Sequence, residues 1–267
     1  MVAWLRIAVS LLGVFIVTLL LLPFQLAFLA TGHHWRNRLP RLWHRAALWA
    51  VGIRVEVKGK LGGRRPLLVV SNHSSWLDIL VMGSVADVTY VAKAEVKDWP
   101  IFGLLARLQR SVFVEREQKR RSQDQANDMA DRLNAGEVVV LFPEGTTSDG
   151  NRLLVTKSTL FAAATSAAQT SPTGMVDVQP AAIAYTRIHG MPMGHYHRPV
   201  AAWPGDIDLL PHLIGVLKTG AIDAEVNFGP PIEVTTATNR KALAIQAESE
   251  IRRLMEECLR DRAVRDL

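Results

Sequence analysis

Leu67-Leu68-Val69-Val70-Ser71-Asn72-His73-Ser74-Ser75-Trp76-Leu77-Asp78 passes from an unbroken apolar run through a polar turn into the start of a second apolar stretch. A short apolar run closed by turn formers is the signature of a buried strand. Ser74 or Ser75 is the kind of residue that caps the start of a helix. A buried strand that hands over to a helix within a few residues is the repeating unit of an α/β fold. Such a corner presents His73 at one end of the sheet, and Asp78, five positions on, folds back toward the imidazole across about one and a half helical turns. A carboxylate there fixes the imidazole tautomer and stabilises the imidazolium formed when the histidine takes a proton from a hydroxyl. His73 and Asp78 are therefore the candidate catalytic pair, a general base and its orienter. None of the other seven histidines (His33, His34, His44, His189, His195, His197 and His212) has an acidic residue five positions on.

The same alternation of short β-like runs and helical patterns extends through the chain. Strands are expected at 54–57, 67–71, 88–92, 111–114, 138–142, 179–185, 200–203 and 224–228, an order that permits a mixed, largely parallel sheet flanked by helices. Ala126, Met129, Ala130 and Leu133 form one apolar helical face, with Gly136 set to stop that helix. Leu243, Ala247, Ile251, Leu254, Met255 and Cys258 form a similar stripe near the C-terminus, which makes the single cysteine a core residue and not a nucleophile. One cysteine allows no intramolecular disulfide and supplies no zinc cluster. His189, His195 and His197 with Met191 and Met193 match no standard metal spacing, so no metal is expected and the segment is taken as a loop.

Residues 7–30 carry no charge, a length sufficient to cross a bilayer as a helix. Pro23 within it also allows a kinked or re-entrant anchor. Residues 1–60 hold eight basic side chains against Glu56 alone, a net +7, so the remainder of the chain, whose total is +6, sums to about −1. The positive charge is thus concentrated beside the apolar run, with no aromatic interleaving for base stacking. That excludes nucleic acid as a partner and favours an anionic membrane surface. Leu39, Leu42, Trp43, Ala46 and Trp49 recur at helical spacing among arginines, the pattern of a helix lying in a membrane interface, or of a core helix. The expected organisation is a membrane anchor over 1–31, a basic interfacial helix over 32–53 and a catalytic domain over 54–267. The cationic flank follows the anchor, which puts the domain on the cytoplasmic side of a cell inner membrane.

Further motifs surround the histidine in sequence. Phe142-Pro143-Glu144-Gly145 ends an apolar strand in a turn, where Gly145 lets backbone approach a ligand and Glu144 binds a polar group or orients a base. Arg116, after the strand at 111–114, has the side chain that pairs bidentately with phosphate. Lys157 is a weaker candidate of the same kind. Pro180 either starts a strand or borders a site. Backbone amides near Gly145 or at the helix start by Ser74 are the two candidate oxyanion donors. No Gly-x-Ser-x-Gly nucleophile elbow occurs, so a covalent enzyme intermediate is not required.

Taken together, four segments resemble the glycerolipid acyltransferase family typified by 1-acylglycerol-3-phosphate acyltransferases, in that family's order. Asn72-His73-x4-Asp78 is similar to its first motif and Ser111-Val112-Phe113-Val114-Glu115-Arg116 to its second. Phe142-Pro143-Glu144-Gly145-Thr146-Thr147-Ser148 is similar to its third and Pro180-Ala181-Ala182-Ile183 to its fourth. The resemblance implies transfer of a fatty acyl group from acyl-CoA or acyl carrier protein to the free hydroxyl of a lysolipid, with no bound cofactor. It implies catalytic roles for His73 and Asp78 and substrate contacts from Asn72, Arg116, Glu144, Gly145, Thr146, Thr147, Arg110 and Pro180, the last beside the acyl donor. Two departures bear on the acceptor. Arg110 stands where the second motif often opens on glycine, and Thr147 stands where an arginine often follows Glu-Gly-Thr. A missing phosphate contact makes a lyso-ornithine lipid, with its amino-acid head group, or a lysophospholipid with a larger head group, a candidate acceptor beside lysophosphatidic acid, unless Arg110 compensates. A lipid hydrolase and a lipid-binding protein without catalysis are the alternative readings.

Overall fold

A computed structural model describes residues 2–114, 122–205 and 207–265. Two helices, α1 (Val2–Thr31) and α2 (Trp35–Val51), lead into β1 (Ile53–Lys58), β2 (Leu67–Ser71), α3 (Leu77–Val85), β3 (Val88–Lys93), α4 (Phe102–Leu108) and β4 (Val112–Val114). Then come α5 (Ser122–Asn134), β5 (Val138–Leu141), α6 (Ala162–Thr170), β6 (Met175–Ile188), β7 (Met191–Pro192), α7 (Leu209–Thr219), β8 (Ile222–Phe228), β9 (Ile232–Thr235) and α8 (Arg240–Arg265).

The strands form one sheet in the order β1-β8-β6-β2-β5-β3-β4, with β7 and β9 also paired to β6. Pairing is parallel throughout the β6-β2-β5-β3-β4 half and between β1 and β8, and antiparallel where β6 meets β7, β8 and β9. Strands β2 and β5 are buried at every position because both faces of the sheet are covered, which is why they read as continuous apolar runs and not as alternation. On one face Val69, Leu77, Val81, Val140, Ile183 and Tyr185 pack beneath α2, α3 and α7. On the other Val70, Val139, Met129, Leu133, Ala167 and Ile251 pack beneath α5, α6 and α8. The stripe on α8 is core as expected: Leu243, Ala247, Ile251, Leu254, Met255 and Cys258 are all buried. Gly136 ends α5 at φ +81°, a conformation glycine adopts without steric cost.

Strand β6 is longer than its neighbour. Its pairing with β2 ends at Ser71 opposite Ala181, and residues 182–188 run on past the end of β2. They form a wall beside the turn that carries His73. Pro180 sits in the middle of this strand, where a missing N–H would ordinarily break a ladder. It is tolerated because the partner on that side changes there, from β9, ending opposite Val178, to β8, starting opposite Ala181.

One expected strand is absent. Val200 closes a single 3₁₀ turn (Arg198–Val200), and residues 201–203 stay irregular. The amides of Ala201 and Ala202 turn back to Arg198 O, and Trp203 N bonds Ser74 O at 2.6 Å, so none is left for a ladder. The run is apolar because Ala201 and Ala202 are buried, not because it is pleated.

The first helices do not stand apart from the domain. Helix α2 buries Leu39, Ala47, Leu48 and Val51 while Leu42 and Trp49 stay exposed, so it has both a core face and an outer face. Helix α1 runs along it. Ser10 Oγ donates to Ala50 O at 2.7 Å, and Trp43 Nε1 donates to Thr18 Oγ1 at 2.8 Å. Arg6 reaches Thr219 O and Val51 O, and Gln25 Nε2 reaches Arg36 O and Leu108 O.

Candidate active site

Strand β2 ends at Ser71, and the next turn is fixed from three directions before α3 begins. Asn72 is buried, and its amide pairs with β6 as another strand would: Nδ2 donates to Ile183 O and Oδ1 accepts from Ile183 N, both at 2.8 Å. This gives the side chain a structural task, holding the turn to the end of β6. Glu144, buried in the turn after β5, accepts from His73 N at 2.6 Å through Oε1 and from Leu154 N at 2.8 Å through Oε2. Ser148 N donates to His73 O at 2.9 Å, and Trp203 N to Ser74 O. The backbone around His73 is therefore clamped by the third-motif loop on one side and by the loop before α7 on the other.

Within that frame the imidazole and the carboxylate meet. His73 Nδ1 lies 2.8 Å from Asp78 Oδ2, and the ring stacks on Phe142 with centroids 4.2 Å apart. Asp78 is wholly buried, yet four donors converge on it. Ser74 N at 2.7 Å and Ser75 N at 2.9 Å share Oδ2 with the imidazole, while Tyr185 Oη donates to Oδ1 at 2.6 Å. These bonds satisfy both carboxylate oxygens where water does not reach them. With Nδ1–H held by Asp78, the basic lone pair of His73 is on Nε2, on a side chain 20% exposed. Of the two expected oxyanion sources, the helix start has Ser74 N and Ser75 N engaged by Asp78, and Gly145 turns at φ +76° with its N–H on Phe142 O at 3.3 Å.

Glu144 is pushed up to about 8 by burial, with Asp78 and Glu248 adding like charge, while its two amide bonds pull the other way. Burial and Asp78 likewise raise the Tyr185 phenol well above its ordinary range, so it remains a proton donor.

The other expected contacts divide between the two ends of the sheet. Gly145 and Thr147 are buried in the third-motif loop and Thr146 is exposed on it. Both threonine hydroxyls lie close to Gly205, where an added Cβ would sit 2.7 Å from Thr146 Oγ1. Lys157 is exposed, with its amide on Pro143 O. Pro180 is buried in β6 with its carbonyl on Gly229 N. Arg110 is not brought to His73. Its guanidinium bonds Glu137 Oε1 at 2.7 Å and Asn37 Oδ1 at 3.1 Å, and Glu137 precedes β5 whereas Glu144 follows it, so Arg110 serves an ion pair at the far end of the sheet. Arg116 lies outside the described residues. Among the described residues no group of three or more His, Cys, Asp or Glu side chains is placed to hold a metal ion.

Tyr185 was not singled out by the sequence. Its place on β6, two and four residues after Ile183 and Ala181 on the face that covers α3, was readable from the period of two, but its partner was not.

A family model described as Acyltransferase matches residues 52–184, the stretch that holds the third-motif loop and the His–Asp pair. The chain is 56% identical over 263 residues to the lyso-ornithine lipid O-acyltransferase of Rhizobium meliloti, covering 98% of this chain and 90% of that protein. The chain belongs to the acyltransferase family. A second member, the lyso-ornithine lipid O-acyltransferase of Brucella abortus, is 48% identical over 99% of both chains. The crystal structure of the 1-acyl-sn-glycerophosphate acyltransferase of Thermotoga maritima has the same fold, with a TM-score of 0.64 over 96% of this chain and 97% of that one at 22% identity.

Proposed function

We propose that this acyltransferase moves a fatty acyl group from a thioester donor, acyl-CoA or acyl carrier protein, to the free hydroxyl of a lyso-ornithine lipid, with His73 as general base. The identity to the Rhizobium meliloti protein along nearly the whole chain carries the choice of acceptor. The His73–Asp78 contact at 2.8 Å supports the mechanism.

In that mechanism Nε2 takes the hydroxyl proton as the oxygen attacks the thioester carbonyl, Asp78 stabilises the imidazolium, and the departing thiolate recovers the proton as the thioester bond breaks. Glu144 acts through the backbone of His73, as a positioning residue. An amino-acid head group carries a carboxylate and an ammonium but no phosphate, which agrees with Thr147 in place of a phosphate-binding arginine and with Arg110 being held away by Glu137.

The same reading gives α1 its place. It is long and apolar enough to cross a membrane, but Arg6 and Gln25, about 28 Å apart along the helix, both bond the rest of the protein. A helix fastened at both ends to one side of a domain lies along the membrane surface, its exposed face, including Leu12, Phe15, Leu19 and Phe24, in the acyl layer. The cationic flank of this anchor suits the anionic cytoplasmic leaflet of the inner membrane, the side on which this reading has the domain.

The test is transfer of labelled acyl groups by purified protein to lyso-ornithine lipid and to lysophosphatidic acid, wild type against Thr147→Arg. A higher kcat/KM for lyso-ornithine lipid, with the ratio moving toward lysophosphatidic acid in the variant, is the expected outcome. A strong wild-type preference for lysophosphatidic acid that the substitution leaves unchanged would remove the acceptor assignment and keep the acyltransferase.

A further inference from the structure

The segment Trp99-Pro100-Ile101-Phe102 turns the chain from β3 into α4 through a γ-turn. Phe102 N bonds Pro100 O at 2.6 Å, with Ile101 at φ 64° and ψ −56°. This is the rare, strained form of that turn, and a β-branched residue is among the least suited to it. The turn is braced by backbone bonds, Gly103 N to Trp99 O and Leu105 N to Ile101 O, both at 2.9 Å, but the Ile101 side chain packs on little of the protein and is 72% exposed at the tip. Leu104, in the first turn of α4, is 54% exposed and Trp99 is 38% exposed. The tip is held firmly: a Cβ on Gly103 would fall 2.3 Å from Lys97 O, so α4 packs directly on the preceding 3₁₀ turn (Ala94–Asp98).

Its position gives this apolar ridge a direction. β3 and β2 both run parallel to β5, so the turn after β3 lies at the end of the sheet where His73 and Glu144 stand. From there α4 runs back to Leu108, whose carbonyl receives Gln25 Nε2 of α1 at 2.7 Å. Trp99, Ile101 and Leu104 therefore extend the exposed apolar face of α1 toward the catalytic end. Around them Lys93, Lys97 and Arg107 are exposed, with Glu95 and Asp98, the mixed charge of a surface at the level of lipid head groups.

We propose that the Trp99–Ile101–Leu104 ridge is a second membrane contact, inserting into the acyl layer of the leaflet that holds α1 and turning the His73 end of the sheet toward the lipid-borne acceptor. This rests on the reading of α1 as a membrane anchor. Entry into lipid removes the exposed side chains from water, which offsets the strain of the turn.

The experiment places single cysteines in the full chain at Ile101, at Leu12 on the outer face of α1 and at Gln169 on the opposite face of the sheet, with Cys258 buried and unreactive. Each is spin-labelled on vesicles of phosphatidylcholine and phosphatidylglycerol, and its depth is read from the accessibility of oxygen against a water-soluble nickel complex. Lipid-like depth at both Ile101 and Leu12, with an aqueous reading at Gln169, is the expected result. An aqueous reading at Ile101 with Leu12 in lipid overturns the proposal and leaves the anchor intact; aqueous readings at both remove the anchor reading and the proposal with it. Ile101→Asn removes the β-branch from a positive φ, so its thermal stability should hold or rise. Its rate on acceptor embedded in vesicles, divided by its rate on a monomeric short-chain acceptor, should fall about tenfold, the effect of losing one buried aliphatic side chain. An unchanged ratio would overturn the claim that the ridge presents the catalytic end to the bilayer.

Discussion

Asp78 accepts four hydrogen bonds, and their division between its oxygens assigns separate tasks. The two serine amides and the imidazole on Oδ2 set the turn and the tautomer, while the buried Tyr185 hydroxyl on Oδ1 fixes the rotation of the carboxylate. His73→Ala is expected to abolish transfer without unfolding the protein, and Asp78→Asn to lower kcat by roughly 10³–10⁴ through loss of tautomer and charge. Tyr185→Phe leaves Oδ1 without its donor in a dry site. The carboxylate is then free to rotate away from the imidazole, so kcat should fall about tenfold, roughly the worth of one lost hydrogen bond to a charged group, while KM holds. A variant with wild-type kcat and a lowered unfolding midpoint would show the phenol to be merely structural. Glu144 gives a stability prediction whose sign follows from its raised proton affinity. An unfolded glutamate releases its proton near 4.5 and the folded one near about 8, so the native state binds the extra proton between these values and stability falls as pH rises through that window. Thermal unfolding of Glu144→Gln should show a shallower decline than wild type from pH 5 to 8. The His–Asp pair was legible because its members are five residues apart on a local turn. Tyr185 was not, because its partner lies 107 positions away and only the sheet order brings them together.

At the level of elements, the buried strands were legible because sheets covered on both faces leave unbroken apolar runs, as in β2 and β5. The 200–203 segment has the same composition, and the difference lies in where its amides go, which composition does not encode. Strand β9 escaped notice because only Val234 of its four residues is buried. The length of β6 was underestimated at both ends for a related reason. Past Ala181 it has no β2 partner, and its parallel pairing resumes only through the side chain of Asn72. That substitute for a strand is testable. Asn72→Ala leaves Ile183 N and O buried with no replacement partner from that side, which should cost about 2–4 kcal/mol in denaturant unfolding, two lost bonds at roughly 1–3 kcal/mol each with partial relaxation. Activity should fall along with stability, because the same wall carries Tyr185. A loss of activity with no change in unfolding midpoint would point instead to a substrate contact.

Over the whole molecule, the anchor and the catalytic sheet form one packed body, and this decides how the protein can sit on a membrane. The charge-free stretch at 7–30 was readable from composition, and so was the basic flank, but a single apolar helix of this length is compatible with crossing the bilayer or lying in it. The choice depends on two polar side chains that hydropathy treats as blemishes. Arg6, near the start of α1, bonds carbonyls at the ends of α7 and α2, and Gln25, near its end, bonds carbonyls at the start of α2 and the end of α4. Were α1 to cross, one of these ends would have to leave the domain and cross the hydrocarbon core, with the Arg6 charge or the Gln25 amide stripped of its partners at a cost of several kcal/mol. Lying along the surface, α1 keeps both sets of bonds and still buries its outer apolar face. Cysteines introduced at Val2 and at His33 should therefore react with a membrane-impermeant maleimide from the same side of oriented vesicles, the side on which the catalytic loops are cut by protease. Labelling of the two positions from opposite sides would mean that α1 spans, and that the bonds of Arg6 or Gln25 are broken in the membrane.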